Sequence, residues 1–269
     1  MKKIIYLLMS LSLVAFASCS DDDKDSPSSE NGENGSNSGN GNVSAVSVFK
    51  SGTENGHDYV DLGLTSGTRW ATANVGAKTP QDYGNYYAWG ETTTKETYSW
   101  STYLDGNMVD YTDCGTDKDA LNGVTDIAGT QYDAAKANWG GKWRMPTEAQ
   151  QYELRSQCYW VWTESYNNSN VKGYIVYKAK TSSDKGKKIY KDGTPSSSYF
   201  LSDAHIFLPA AGSRHDGDLY NAGSWGYYWS SSLSTDCPFY AWNVNFLSGY
   251  VGHNRSYRCF GLSVRAVFK

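Results

Sequence analysis

The sequence predicts an α+β domain in which two helices accompany an antiparallel sheet and long loops. Short runs of alternating apolar and polar residues fill the second half of the chain, a pattern typical of half-buried strands. Only two stretches combine helix formers with helix start and stop signals, and both lie before residue 158. Because helices and strands occupy separate parts of the chain, the α+β class is favoured over an alternating α/β fold.

The two helices are predicted from their end signals. The stretch "YDAAKANWGGKW" has helix formers that stop at Gly140 and Gly141. In "MPTEAQQYELRSQC", Thr147 is the expected N-cap, and Glu148 in the first turn favours the helix dipole. The first strand is expected in "HDYVDLGL" (57–64), followed by irregular chain in "TSGTRWATANVG". The later strands are expected at 159–163, 173–178, 205–212, 227–232, 239–246 and 262–268.

The first 43 residues have the layout of an exported lipoprotein. Residues 1–18 form a signal peptide, with lysines at its start and an apolar run over residues 4–16. The small residues before Cys19 resemble a bacterial lipobox, and "SDDDKDS" after it resembles the acidic export tag of surface lipoproteins in Bacteroidota-type bacteria. A plain secretory signal is the alternative. We therefore expect acylation at Cys19, a hydrated tether over 19–43, and a folded domain over 44–269 on the cell surface at the outer membrane.

The composition narrows the partners of this domain. The formal net charge is −4, and the chain contains 10 Trp and 22 Tyr. A mildly acidic, aromatic-rich domain argues against nucleic acid, and the lipid is the only membrane contact that we expect. The cysteines after the anchor are irregularly spaced, so a Cys237–Cys259 bridge and free thiols both stay open. Their positions are Cys114, Cys158, Cys237 and Cys259.

Several motifs in a fixed order resemble the Fibrobacter succinogenes major paralogous domain. They are "HDYVDLGLTSGTRWATANVGA", "YYAWGET", "NWGGKWRMPTEAQQYEL", "IFLPAAGSR", "GYYWSSS" and "GLSVRAVF", which together span most of residues 57–269. "KWRMPTEAQQYEL" is also similar to a signature of the formylglycine-generating-enzyme group, which shares the C-type-lectin-like fold with the variable proteins of diversity-generating retroelements. The resemblance implies a C-type-lectin-like domain whose first and last strands lie close together, with binding on a face of long loops.

Catalytic and metal sites are not expected. The resemblance implies that an oxidase of this group needs two neighbouring cysteines for copper, whereas Cys259 stands alone in "RSYRCFG". The four histidines are scattered, with no zinc motif. Neither a serine-hydrolase elbow nor the calcium-binding triplets of lectins occur. We expect a protein that is not an enzyme and needs no cofactor or metal.

The tryptophans and arginines of the motifs have an expected structural role. Arg144 and Arg265 should each pair with a carboxylate or a carbonyl. Large indole rings favour packing in the core. The tryptophans expected there are Trp139, Trp143, Trp160, Trp162 and Trp229, and the apolar anchors near the C-terminus are Val244, Phe246, Leu262, Val264 and Val267.

Residues 233–259 have the composition of an antibody-like binding surface, rich in Tyr, Ser, Asn and Gly. If Val244 and Phe246 face the core, strand alternation exposes Asn243 and Asn245. A loop should follow on the same side, while Tyr240 shares the parity of Val244 and is exposed only through a bulge. The expected ligand-binding residues are Asn243, Asn245, Tyr250, His253, Asn254, Ser256 and Tyr257.

This surface predicts adhesion to a protein or a glycan, with sequence variation generated by a retroelement. Two alternatives stay open: a structural surface lipoprotein without a dedicated ligand, and a divergent oxidase.

Overall fold

Four β-sheets and two α-helices make up the described part of the chain, residues 49–106, 121 and 123–269 of a computed structural model. These elements confirm the predicted α+β class. The folded unit runs from Ser44 to Lys269. Cys19, the tether and Cys114 lie outside the described residues. No helix among those residues is both long and apolar enough to cross a bilayer.

Short strands outnumber helices along the described chain. The strands are β1 (Gly52–Glu54), β2 (His57–Asp61), β3 (Arg69–Ala71), β4 (Tyr86–Tyr87), β5 (Cys158–Thr163), β6 (Gly173–Lys178), β7 (Lys188–Ile189), β8 (His205–Pro209), β9 (Ser213–His215), β10 (Asp218–Tyr220), β11 (Trp225–Leu233), β12 (Tyr240–Leu247), β13 (Tyr250–Tyr257), β14 (Leu262–Ser263) and β15 (Val267–Phe268). The helices are α1 (Ala134–Trp139) and α2 (Glu148–Gln157), with 3₁₀ turns at Trp100–Gly106, Tyr166–Asn168 and Ser182–Asp184.

The strands form sheets of five, four, four and two strands rather than one antiparallel sheet. Their orders are β13-β12-β11-β14-β4, β7-β5-β6-β8, β1-β2-β3-β15 and β10-β9. Most pairs are antiparallel, but β11 pairs with β14, and β5 with β7, in parallel. The strand expected at 262–268 is two short strands that belong to different sheets. The last of them, β15, pairs with β3, so the C-terminus closes against the start of the domain.

The helix ends agree with the sequence signals, since α2 begins after its predicted cap Thr147 and α1 ends at Gly140. The Thr147 side chain accepts from the backbone N–H of Gln150, and the Gln150 side chain in turn accepts from the backbone N–H of Thr147, which completes a capping box for α2. Asp133 caps α1, and Gly140 ends it with a φ of 64°, a left-handed conformation that favours glycine. The end signals therefore located both helices correctly.

The core consists of the residues that the motifs indicated. All five tryptophans and all five C-terminal anchors named above are buried, which confirms their predicted packing. Leu154 of α2 lies in one cluster with Val244 and Phe246 of β12, so the helix covers that side of the five-stranded sheet. Burial of such large apolar side chains is the main stabilising contribution to a fold of this size.

Both arginines of the motifs donate to carbonyl groups, as expected, and Arg265 links distant segments in this way. Arg265 is fully buried and donates to Asn74 Oδ1 at 2.9 Å, to the Ala71 oxygen at 3.2 Å and to the Phe207 oxygen at 2.8 Å. Burial lowers the pKa of Arg265 to about 10, because a guanidinium loses solvation in the interior. Arg144 donates to the Met145 oxygen at 3.0 Å.

The cysteine chemistry differs from a simple C-terminal bridge. Cys237 is disulfide-bonded, whereas Cys158 and Cys259 are free, buried thiols. A Cys237–Cys259 bridge is therefore not formed. Burial raises the pKa of Cys259 to about 12, so its thiol is protonated near neutral pH.

Candidate functional site

The segment expected to be a loop after β12 is a strand. Residues Tyr250–Tyr257 form β13, which pairs with β12 along its whole length, from Tyr240 opposite Tyr257 to Leu247 opposite Tyr250. Only Ser248 and Gly249 separate the two strands, and a two-residue Gly-containing turn is a hairpin signal. The loop prediction is wrong. A strand is recognised in a sequence by its alternation of apolar and polar residues, and the polar edge strand β13 lacks that alternation.

This hairpin divides the expected binding residues between two faces. Residues that pair directly across two strands point to the same side of a sheet. Tyr257 and His253 therefore share a face with Tyr240 and Val244, their pairing partners. The opposite face carries the remaining five expected residues: Asn243, Asn245, Tyr250, Asn254 and Ser256.

Asn243 and Asn245 are buried, so their expected exposure is wrong. Their residual exposures are 0% and 5%. The asparagines do point away from Val244 and Phe246, as strand alternation predicts. Their side of β12 is covered as well, because Ala241, which points to the same side, packs in a cluster with Trp229. Asn243 Nδ2 donates to Ser256 Oγ at 3.0 Å, which links β12 to β13 rather than to a ligand.

The outer part of the other face carries two aromatic pairs joined by an arginine. Tyr240 stacks on Tyr257 with ring centroids 4.7 Å apart, and Trp242 meets His253 at 5.2 Å. The guanidinium carbon of Arg255 lies 5.8 Å from the Tyr240 ring centroid and 5.5 Å from that of Trp242, within cation–π range. We call these five residues the aromatic–arginine face.

The Arg255 guanidinium is oriented by two neighbouring side chains and remains in contact with water. Its Nη1 donates to Ser234 Oγ at 3.1 Å and lies 3.9 Å from a carboxylate oxygen of Asp236. The Asp236 side chain is 84% exposed, so this ion pair is screened by water and contributes little to stability. The positive charge of Arg255 is therefore available to a ligand.

A histidine–carboxylate pair lies at the α2 end of the face. His253 Nε2 is 3.9 Å from Glu148 Oε1, and both side chains are about two-fifths exposed (40% and 42%). Glu148 opens α2, where the positive end of the helix dipole favours a carboxylate. Charges of both signs therefore border the aromatic rings.

Tyr240 and Tyr257, at the end of the face away from α2, lie close to further aromatic side chains. Trp100 contacts Tyr257 at 5.9 Å and Phe239 at 5.8 Å, and Phe260 contacts Tyr257 at 5.4 Å. A hydrogen bond between the Tyr240 and Tyr257 side chains raises the pKa of Tyr240. This support fixes ring positions before any ligand arrives.

The sequence predicts only part of this face. His253 and Tyr257 are among the expected residues, and both are exposed on it. Trp242 and Arg255 are not among them, and Tyr240 was expected to be exposed only through a bulge. The Ser248–Gly249 turn could have located the hairpin, and cross-strand parity would then have placed these residues beside Tyr257.

The described residues offer no cluster of metal ligands. Within residues 49–106, 121 and 123–269, no three His, Cys, Asp or Glu side chains lie close enough together to hold a metal ion. Cys237 is oxidised in its disulfide and so does not provide the second thiolate that a copper oxidase needs.

Comparison with known proteins finds no matching family model, no similar curated protein and no similar solved structure. The function of this chain is therefore inferred from its own geometry and from the motifs of its sequence.

Proposed function

We propose that this protein is a surface-anchored lipoprotein that binds a protein ligand through the aromatic–arginine face. The observation that carries the proposal is Arg255, which lies between two cross-strand aromatic pairs on the hairpin at the edge of its sheet. Trp, Tyr and Arg are the residues that dominate binding energy at protein interfaces.

The face is preorganised for binding. Its rings project from two strands whose pairing covers all eight residues of each, so their spacing is set by the sheet. Aromatic side chains have few rotatable bonds and lose little entropy on binding. Binding therefore does not have to order these side chains, and the smaller entropy loss favours affinity.

A protein ligand fits the surroundings of the face better than a glycan does. Charges of both signs flank the rings, since Arg255 lies near Asp236 and His253 near Glu148. Such a mixture complements the charged side chains of another protein. In addition, β13 is the last strand in its sheet, and an edge strand has backbone groups that can pair with a strand of a partner.

The wider identity of the domain is part of the same proposal. The order of the sequence motifs and the pairing of β15 with β3 support a C-type-lectin-like fold with adjacent termini. The proposal includes retroelement-driven variation of residues 233–259, supported by their Tyr, Asn and Ser content. The disulfide at Cys237 makes the oxidase alternative less favourable.

Binding is tested with a variant that removes the central contacts. Purified domain (44–269) is screened against arrays of extracellular proteins and of glycans. Arg255→Ala combined with Tyr257→Ala should weaken binding to the protein hits by about 30-fold or more, since two central contacts that each contribute roughly 1 kcal/mol or more are lost together. Stability should change by only about 1 kcal/mol because both side chains are exposed.

Tyr250→Ala is the matched control for this variant. Tyr250 and Tyr257 lie on the same strand and are 43% and 38% exposed, but they belong to opposite faces. The control should bind as the wild type does. Equal loss in both variants, or no protein hit that depends on Arg255 and Tyr257, contradicts the proposal. Dependence seen only on the glycan array assigns the face to a glycan instead.

Anchoring is tested separately by Cys19→Ala. This change removes the thiol that would carry the lipid, so the protein should move from the membrane fraction to the soluble fraction of fractionated cells. Ser20→Ala, which keeps the cysteine, should stay with the membrane. A Cys19→Ala protein that remains fully attached would show that the lipobox interpretation is wrong.

A further inference from the structure

A cavity of about 340 Å³ opens on the outer side of the β7-β5-β6-β8 sheet. Val161, Ile175 and Tyr177 lie at its base, and Tyr199 and Phe200 line its side. Its volume falls within the roughly 300–1,000 Å³ range of small-molecule sites. The cavity belongs to a different sheet from the aromatic–arginine face and needs a separate explanation.

The cavity has no charged side chain in its lining. The lining residues are Val161, Trp162, Thr163, Ser165, Asn167, Ile175, Tyr177, Pro195, Ser196, Tyr199, Phe200 and Leu201. A charged ligand would lose its hydration here without gaining an opposite charge, which is strongly unfavourable. The Lys180 ammonium, which lies 5.0 Å from the Tyr199 ring centroid and 5.7 Å from that of Phe200, is neutralised by Asp203 at 2.7 Å. The cavity therefore selects neutral ligands.

Hydroxyl and amide groups lie among the apolar walls. Thr163 Oγ1 accepts from the Ser165 backbone nitrogen at 3.2 Å, which leaves the proton of that hydroxyl as a donor. The Asn167 backbone is left-handed, with a φ of 46°, and Ser196 adds a further hydroxyl. A few fixed polar groups among apolar ones are what orient a ligand in a pocket.

The aromatic wall is rigid at Tyr199 and open at Phe200. Tyr199 stacks on Tyr159 at 4.4 Å, and its hydroxyl donates to Asp184 Oδ2 at 2.8 Å. Phe200 is 60% exposed, an unusual position for a phenylalanine, while its backbone nitrogen donates to Asp203 Oδ2 at 2.7 Å. An exposed ring face attracts C–H groups that carry partial positive charge.

We infer that this cavity is a second binding site and that it takes a neutral carbohydrate, with one sugar ring against Phe200. A pyranose has C–H groups on its faces and hydroxyls at its edge. The faces match the exposed Phe200 ring, and the hydroxyls match the Thr163, Ser165 and Ser196 side chains. A neutral aromatic ligand would leave that hydroxyl set unpaired, which is less favourable.

The test uses an array of neutral glycans with sialylated and sulfated glycans as the charged set, followed by titration of each hit. The domain should bind neutral glycans, and Phe200→Ala should weaken that binding by about tenfold or more, because a stacked aromatic at the centre of a site contributes at least about 1.4 kcal/mol. Thr163→Val, which keeps the shape of the side chain, should weaken binding several-fold.

Tyr152→Ala is the matched control, because Tyr152 on α2 is 61% exposed against 60% for Phe200. Its binding should be unchanged. The inference is overturned if no neutral glycan binds, if charged glycans bind preferentially, or if Phe200→Ala binds as tightly as the control. Neutral-glycan binding that is lost with Arg255→Ala but kept with Phe200→Ala belongs to the aromatic–arginine face and also overturns it.

Discussion

Replacing Asp133 by alanine should lower the free energy of unfolding by about 4 kcal/mol, because one carboxylate serves four backbone donors. Asp133 is fully buried and accepts from the backbone nitrogens of Ala135 at 2.9 Å, Lys136 at 3.0 Å, Gly129 at 2.7 Å and Met145 at 2.9 Å. Two of these donors open α1, and the others belong to the segments before and after it. Removing the carboxylate leaves all four without their acceptor, and the donors of Ala135 and Met145 lie in the interior.

Urea unfolding followed by tryptophan fluorescence measures this loss, and two variants calibrate it. Asp133→Asn keeps one acceptor oxygen and should lose roughly half as much stability, since fewer donors are left unpaired. Asp192→Ala removes an exposed carboxylate and should change stability by about 0.5 kcal/mol at most. If Asp133→Ala stays within about 1 kcal/mol of the wild type, the carboxylate is not what holds these segments together.

The second large effect is expected at Gly212, where the chain passes very close to another backbone segment. Its φ is +70°, and an added Cβ would overlap the Tyr220 carbonyl oxygen and lie 2.7 Å from the Ala222 nitrogen. Backbone atoms in a packed turn do not rotate away as a side chain does. Gly212→Ala should therefore lose about 3 kcal/mol or more of unfolding free energy.

Two other glycines separate the contributions of backbone conformation and of overlap. Gly56 has a φ of +82° but open space around it, so Gly56→Ala should lose only about 1 kcal/mol. Gly217 has neither a positive φ nor a neighbour within 4 Å, so Gly217→Ala should be close to neutral. A shift in the urea midpoint for Gly212→Ala no larger than that for Gly56→Ala would exclude the close approach as its cause.

The sequence by itself determined the features that depend on local interactions. Thr147 and Gly140 mark helix ends because a capping side chain or a left-handed glycine acts within one turn of the chain. The burial of Val244 and Phe246 was also correct, since side chains alternate along a strand whatever surrounds it. The five tryptophans followed from their size and apolar area alone.

Only the tertiary structure decided what covers each face. Strand alternation predicts that Asn243 and Val244 point to opposite sides of the sheet. Other residues pack over the side of Asn243 and bury it, and no local sequence pattern predicts that packing. The same holds for the candidate site. Tyr240 and Trp242 become neighbours of Tyr257 and Arg255 through pairing between strands. The cavity beside Phe200 forms where residues 195–201 pack against the β7-β5-β6-β8 sheet. Its walls join residues that are far apart in the sequence, and such contacts depend on the whole fold.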